Sequence, residues 1–220
     1  MNIAQAVDKL ISQSPFLEEA INDNLINVSS LARKLKPEVE KILKKPVQEG
    51  AIVMAINRRA PGYYFKISRG IKTFMSKLGD IIVRSDLSDY SFKNSSSLIA
   101  CQRNLMDEIG SEKNAFCTFS QGIYETTIVA SNSLDQAIDR IFSREKKIST
   151  KSGLGSITIQ LPENNTEISG VYYYILKSLA WEGINICEII STTNEVSIVV
   201  EEEDVHKAFP ILLSLKKPNI

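Results

Sequence analysis

The fold is decided by residues 155–215, which read GSITIQLPENNTEISGVYYYILKSLAWEGINICEIISTTNEVSIVVEEEDVHKAFPILLSL. Apolar residues alternate from Ile157 to Leu161, which predicts a short strand. They then recur at helical spacing over 170–181, and Gly183 ends the predicted helix. A strand followed by an amphipathic helix predicts a right-handed crossover that packs the helix on one face of a sheet.

The rest of this stretch predicts two more strands and a second helix. GINICEII (183–190) and EVSIVVEE (195–202) are apolar runs separated by a turn at Thr193 and Asn194. Residues 203–215 predict a helix that its internal proline bends or breaks. The order strand, helix, strand, strand, helix therefore predicts a small α+β sandwich.

The same order of elements occurs earlier in the chain. The predicted segments are a strand at 79–86, a helix at 95–109, a hairpin at 115–120 and 123–130, and a helix at 134–142. Judged from Gly79 and Gly155, the repeat spacing is about 75 residues. Residues 143–152, SREKKISTKS, predict a charged linker between the two copies.

The C-terminal third resembles a known regulatory module. SGVYYYILKSLAWEGINICEI (169–189) and NEVSIVVEEEDVHKAF (194–209) resemble an ACT domain, and most of all the ACT domains of aspartokinases. The resemblance implies a ferredoxin-like fold that binds an amino acid and regulates an enzyme. It does not extend to a kinase catalytic domain, because the phosphate-binding opening of those enzymes is missing after Met1.

The resemblance also implies a ligand site. In ACT domains the ligand lies where the first strand meets the first helix, which here is the loop 162–171. The residues implied are Asn164, Asn165, Thr166, Ser169, Gly170 and Val171, together with Asn185 and Ile186 at the start of the next strand. Free N–H groups at the helix start could hold a carboxylate. The alternative is that Asn164 and Asn165 only form a turn, and that the unit serves dimerisation.

The N-terminal part predicts a different fold. Helices are predicted at 3–12, 15–21, 29–35 and 36–47, followed by strands at 51–59 and 63–67. SSLARKLKPEVEKILKKPVQEGAIVMAINRR (29–59) resembles a winged helix, a fold that binds DNA or proteins.

A basic surface accompanies this resemblance. Residues 1–78 hold 13 Lys and Arg against 7 Asp and Glu, whereas the remainder holds 13 against 19. The candidate DNA contacts are Lys41, Lys44 and Lys45 on one helix face, and Arg58 and Arg59 at the hairpin tip. The alternatives are a solvated lysine face and a protein-binding head.

Composition excludes several classes of function. His206 is the only histidine, and Cys101, Cys117 and Cys187 form no CxxC pair, so we expect no metal site, cofactor or catalytic centre. No apolar run reaches the roughly 20 residues that span a bilayer. The N-terminus lacks a signal-peptide pattern, and the unpaired cysteines favour a cytoplasmic location.

We therefore expect an α+β protein with four parts: a winged-helix-like domain at 1–67, a linker helix at 68–78, a diverged ACT-like domain at 79–143 and an ACT domain at 153–220. The leading hypothesis is a non-catalytic, homodimeric regulator that senses an amino acid and binds DNA. The alternative is a regulatory subunit that binds a partner enzyme and confers feedback control on it.

Overall fold

The computed structural model describes residues 1–59, 70–110 and 115–217. The chain divides into two units. The first comprises Met1–Thr73 with Ile168–Gly170, and the second comprises Phe74–Glu167 and Val171–Ile220.

Helices build the first unit: α1 (Ile3–Ser12), α2 (Pro15–Asn22), α3 (Val28–Leu43) and α4 (Glu49–Asn57). Two of them begin at an asparagine cap. Asn2 Oδ1 accepts a hydrogen bond from the Gln5 N–H at 2.9 Å, and Asn27 Oδ1 accepts one from the Ser30 N–H at 3.0 Å. The apolar core consists of Ala6, Val7, Ile11, Leu31, Ala32, Val39, Val47, Ile52 and Ile56.

Two predictions for this unit are wrong. Residues 51–59, predicted as the first strand of a wing, lie mostly in helix α4. Helix α3 continues through Pro37, so the two helices predicted over 29–47 are one helix that ends at Leu43. The predicted return strand at 63–67 lies outside the described residues. The described residues of this unit thus give no support to a winged helix.

The described residues of the second unit form six strands. Residues 70–75, on either side of the division at Thr73, form helix α5, inside the expected linker helix. The strands and helices that follow are β1 (Ile81–Lys93), α6 (Leu98–Ile109), β2 (Cys117–Gln121), β3 (Glu125–Ser131), α7 (Asp135–Ile141), β4 (Lys147–Gln160), α8 (Val171–Trp181), β5 (Glu188–Ser191), β6 (Glu195–Glu201) and α9 (Glu202–Ser214). No helix in the described ranges is long and apolar enough to cross a membrane.

The six strands form one antiparallel sheet in the order β2-β3-β1-β4-β6-β5. Each half of the unit has the element order strand, helix, strand, strand, helix, as predicted. The halves meet where β1 pairs with β4, the two longest strands, with Leu87 opposite Leu154. The sheet therefore has an internal two-fold relation centred on this pair.

The pattern of buried and exposed residues is repeated between β1 and β4. Leu87–Lys93 and Leu154–Gln160 show the same series of buried and exposed positions. A left-handed residue precedes each series, Asp86 with φ 56° and Gly153 with φ 70°. The two leucines differ by 67 in residue number, so the repeat is shorter than the predicted spacing of about 75.

A pair of hydroxyl groups repeats in the same way. Ser91 Oγ lies 3.1 Å from Thr127 Oγ1 between β1 and β3, and Thr158 Oγ1 lies 2.7 Å from Ser197 Oγ between β4 and β6. Each pair joins the first strand of its half to the third, so the two halves share side-chain chemistry as well as topology.

Each face of the sheet has its own apolar cluster. On the helix-covered face, the first half buries Tyr90, Phe92, Leu98, Leu105, Ile128, Ala130, Leu134, Ala137, Ile138 and Phe142. On the opposite face, Leu87, Val129, Leu154 and Val199 form a smaller cluster with Phe116, Cys187 and Ile190. Because strand side chains alternate, Asp89 and Ser91 share this second face with Leu87.

The predicted linker at 143–152 is also wrong in part. From Lys147 onward these residues belong to β4 and pair with β1, with Lys147 opposite Phe92. The charged residues of KISTKS are exposed, which is why the segment looked like a linker.

Candidate functional site

The loop between β4 and α8 contains five of the predicted ligand residues, and a sixth, Val171, begins α8. Asn165 is buried, and its Nδ2 donates to the carbonyl oxygens of Pro162 at 3.1 Å and Thr193 at 2.7 Å. Both amide hydrogens are thus used to hold the loop against the turn between β5 and β6. Asn165 has a structural role here, as the turn alternative predicts.

The remaining predicted residues of this loop differ in exposure. Asn164 and Thr166 are exposed on a 3₁₀ turn at Glu163–Glu167, and Ser169 is also exposed. Gly170 adopts φ 86°, a left-handed conformation that glycine tolerates without strain, and Val171 is buried as the first residue of α8.

Asn185 and Ile186 lie at the other end of the second half. They belong to the loop between α8 and β5, near Glu201 at the end of β6, whereas Thr193 lies just before the start of β6. The length of β6 separates these ends by roughly 20 Å at 3.4 Å per residue. The structure therefore does not join the eight predicted residues into one site.

Asn185 and Ile186 instead line a pocket of about 480 Å³ on the sheet face that carries Leu87. All of its residues belong to the second unit. The lining residues are Asp89, Ser91, Ser149, Thr150, Lys151, Asn185, Ile186, Cys187, Glu188 and Glu201. A volume of this size suits a small molecule.

Asp89 is the most buried ionisable group of this pocket. It is 9% exposed, and its carboxylate has no hydrogen bond among the described residues. Burial raises the pKa of Asp89 to about 6; the negative charge of Glu188 adds to this rise, and Lys151 opposes it. The ionised form of Asp89 is thus less favourable than that of an exposed aspartate.

The other charges of the pocket are partly paired. Lys151 Nζ donates to Glu201 Oε1 at 2.6 Å, and this hydrogen bond is the main reason that the pKa of Lys151 is raised. Burial raises the pKa of Glu188. Three carboxylates therefore face one ammonium group, which is already bound to Glu201.

The corresponding β-to-helix loop of the first half is occupied by a side chain of the protein. Ser97 Oγ donates to Glu145 Oε1 at 2.6 Å, and Ser95 Oγ donates to Glu145 Oε2 at 2.5 Å. These hydrogen bonds lower the pKa of Glu145. A carboxylate of the chain thus already sits beside the start of α6.

The predicted DNA contacts do not form one surface. Helix α3 ends at Leu43 and Lys44 is left-handed, with φ 53°, so Lys41, Lys44 and Lys45 do not share a helix face. Lys45, Arg58 and Arg59 line a cleft of about 840 Å³ beside α1 and α4, which also contains Asp8.

Arg59 is largely buried and paired. Its Nε donates to Asp8 Oδ1 at 2.7 Å, and its Nη1 lies 3.4 Å from Glu18 Oε1. Arg58 and Arg59 follow helix α4 rather than a hairpin tip. This arrangement fits a structural role for Arg59 better than a contact with phosphate.

No family model and no curated protein sequence match this chain. Solved structures do match it. The regulatory subunit of aspartate kinase from Thermus thermophilus, in its ligand-free form, is 11% identical over 63% of this chain and 97% of that chain, with a TM-score of 0.52. The structure of aspartokinase α and β subunits is 14% identical over 64% of this chain and 99% of that chain, with a TM-score of 0.51.

A longer aspartate kinase chain matches over the same share of this chain. Aspartate kinase from Clostridium acetobutylicum, described as an allosteric enzyme, is 17% identical over 63% of this chain and 34% of its own, with a TM-score of 0.52. At such identities the likeness concerns the fold. The mixed α/β architecture with a six-stranded antiparallel sheet is thus similar to aspartokinase regulatory domains.

Only Asn185 and Ile186 of the ten pocket residues were predicted from the sequence, and the eight that were not include all four charged ones, Asp89, Lys151, Glu188 and Glu201. The available signal was an aspartate inside a predicted strand segment, LSDYSF (87–92). Their proximity depends on the register between β1 and β4, which the sequence does not specify.

Proposed function

We propose that this chain is a regulatory protein that senses an amino acid through two ACT-like units, 79–143 and 153–220. The observation that carries the proposal is the six-stranded sheet built from two copies of one element order. Its likeness to aspartate kinase regulatory subunits extends over 97% and 99% of those chains.

A non-catalytic role accords with this proposal. The compared subunits are described as regulatory, and the only histidine of this chain, His206, is exposed on α9. The pocket around Asp89 is our preferred ligand site, because it combines a small-molecule volume with charged and hydroxyl groups. For the loop at 162–171, ligand binding remains a proposal that rests on the family resemblance.

A DNA-binding role for the N-terminal unit has no structural support. The predicted wing strand is a helix, and Arg59 is paired with two acids. No described feature of this unit favours the alternative role, binding to a partner enzyme. We therefore propose no effector for it.

We also propose that two copies associate through the sheet. Strands β2 and β5 are the edges, and their outer backbone groups can pair with another strand. Light scattering coupled to gel filtration tests this. A mass of one chain at all concentrations contradicts it.

The sensing proposal is tested by a thermal-shift screen of the full chain against the standard amino acids. A ligand at 100 times its dissociation constant should stabilise the protein by about 2.7 kcal/mol. At least one amino acid should raise the melting temperature, with a dissociation constant confirmed by calorimetry. No binding of any amino acid by either method would overturn the sensing role.

A further inference from the structure

The pocket around Asp89 contains a charge that the protein itself does not neutralise. We propose that this pocket binds an organic cation, the ammonium or guanidinium group of a small ligand, through Asp89 and Glu188. The inference deepens the proposed function, because it names the chemical class of ligand for the preferred site.

The first argument is the state of Asp89. The residue is 9% exposed and lines the pocket, and no group among the described residues donates a hydrogen bond to its carboxylate. An ionised carboxylate removed from water is costly unless it meets a donor or a positive charge. A ligand cation supplies both.

The second argument is the balance of charge. Lys151 is the only lysine or arginine among the lining residues, and it donates to Glu201. Glu188 receives a hydrogen bond from the Ile189 backbone, and Lys151 acts on Asp89 only through its charge, so both carboxylates can still accept from a ligand cation. Glu188 and Asp89 also repel each other, which a bound cation relieves.

The third argument comes from the internal two-fold relation. The counterparts of Asp89 and Lys151 are Ser156 and Arg84, because both pairs face each other across β1 and β4. Glu201 and Ser131 are the last residues of β6 and β3.

Strand pairing gives the last counterpart. Glu188 faces Val199 on β6, and Thr118 faces Val129 on β3, the equivalent valine. All three carboxylates of the pocket therefore correspond to hydroxyl residues in the other half. The repeated fold does not require acids here, so their presence at this one place points to a ligand.

The pocket suits an organic cation better than a metal ion. In residues 1–59, 70–110 and 115–217, no three His, Cys, Asp or Glu side chains are arranged to hold a metal ion. The volume of about 480 Å³ exceeds what one ion fills. Ser149, Thr150 and Asn185 offer hydrogen-bonding groups for the uncharged part of a ligand.

The experiment is calorimetric titration of the full chain with arginine, lysine and n-butylamine. Norleucine serves as the neutral counterpart of lysine, and glutamate as an acidic control. The test variant is Asp89→Asn, which keeps the shape of the side chain. The matched control is Asp86→Asn, at an exposed position of the same strand where asparagine tolerates the left-handed conformation.

We expect at least one cationic probe to bind, norleucine to bind at least about tenfold more weakly than lysine, and Asp89→Asn to weaken cation binding at least about tenfold. Asp86→Asn should leave it unchanged. A cooperative melting transition of Asp89→Asn is the check that this variant is folded.

Two results would overturn the inference: no cationic probe binds, or Asp89→Asn binds cations as tightly as the unchanged protein. If no cationic probe binds but a neutral or acidic amino acid does, the cation site is wrong and the sensing function is retained. If n-butylamine binds and no amino acid does, the cation site is retained and amino-acid sensing is wrong.

Discussion

The guanidinium group of Arg59 lies 3.4 Å from the buried carboxylate of Glu18. The two side chains are 11% and 6% exposed, and Arg59 also donates to Asp8. Arg59, two residues beyond the end of α4, thus links α4 to Asp8 of α1 and to Glu18 of α2. These contacts explain why Arg59 is largely buried although its neighbour Arg58 is exposed.

Replacing Arg59 with alanine should therefore destabilise the first unit. Removal of one partner leaves the buried Glu18 without its counter-charge, and such changes cost about 3 kcal/mol or more. Urea denaturation followed by far-UV circular dichroism measures the effect. Arg58→Ala, at the exposed neighbouring position, should change stability by less than about 0.5 kcal/mol. Equal losses in both variants would contradict a role for the ion pair.

The Asp89 carboxyl group should make stability depend on pH. Folding raises its pKa from the ordinary value of 3.8 to about 6. A raised acid pKa contributes stability that is fully present below the unfolded pKa and is lost as the pH rises through about 6. Asp89→Asn should thus raise the melting temperature relative to the unchanged protein more at pH 8 than at pH 4.

The control for this pH effect is Asp86→Asn, an exposed change on the same strand. The gain of Asp89→Asn from pH 4 to pH 8 is measured against this variant. A gain for Asp89→Asn that does not vary with pH would show that the carboxyl charge is not its origin.

The carboxylate of Glu145 should stabilise the start of α6. Hydrogen bonds from Ser97 and Ser95 to an ionised acceptor contribute about 1.5 to 3 kcal/mol when buried, and less at this exposed position. Glu145→Gln should lower the free energy of unfolding at pH 7 by about 1 kcal/mol. Asp107→Asn, an exposed change on α6, serves as the control.

Acid should remove the same contribution. Because the pKa of Glu145 is lowered in the folded protein, its stabilising effect is present above the ordinary value of 4.5 and is lost as the pH falls through the folded pKa. The difference between Glu145→Gln and the unchanged protein should therefore shrink in acid. A difference that stays constant down to pH 3 argues against the carboxylate as its cause.

Replacing two of the glycines with alanine should change the free energy of unfolding in opposite directions. A Cβ at Gly155 would lie 2.6 Å from Val205 Cγ2 and 3.2 Å from the Arg84 carbonyl oxygen, so Gly155→Ala should cost about 1 to 3 kcal/mol. At Gly50, in the first turn of α4, no heavy atom lies within 4 Å. Gly50→Ala should gain about 0.5 to 1 kcal/mol. Urea denaturation compares the two, and a stabilised Gly155→Ala contradicts the close packing of α9 on β4.

The second unit was largely predictable because its local signals agree. The alternation from Ile157 to Leu161 and the helical spacing over 170–181 match β4 and α8. In the first half of this unit, the order of the predicted elements was enough to identify the repeat. The strand predicted from the apolar run AIVMAIN (51–57) was wrong, since a short apolar run without clear periodicity fits a buried helix as well as a strand.

The candidate site was predictable only in part. Asn185 and Ile186 line the pocket, but Asp89 and Lys151 reach it through a strand pairing 62 residues apart in the chain. Asn165 illustrates the opposite difficulty. Its residue type and loop position suggest ligand binding, while its hydrogen bond to Thr193, 28 residues away, depends on a tertiary contact.

The pairing of β1 with β4 also has a consequence for synthesis on the ribosome. The first half is complete in sequence at Ile141, yet one edge of β1 finds its partner only when Gln160 has emerged. At a synthesis rate of about 5 to 20 residues per second, the backbone groups of this edge stay unpaired for a time on the order of seconds. An unpaired strand edge can pair with other chains and cause aggregation. We therefore expect the nascent chain to need chaperone shielding during this interval, and translation speed between residues 141 and 160 to affect the yield of folded protein.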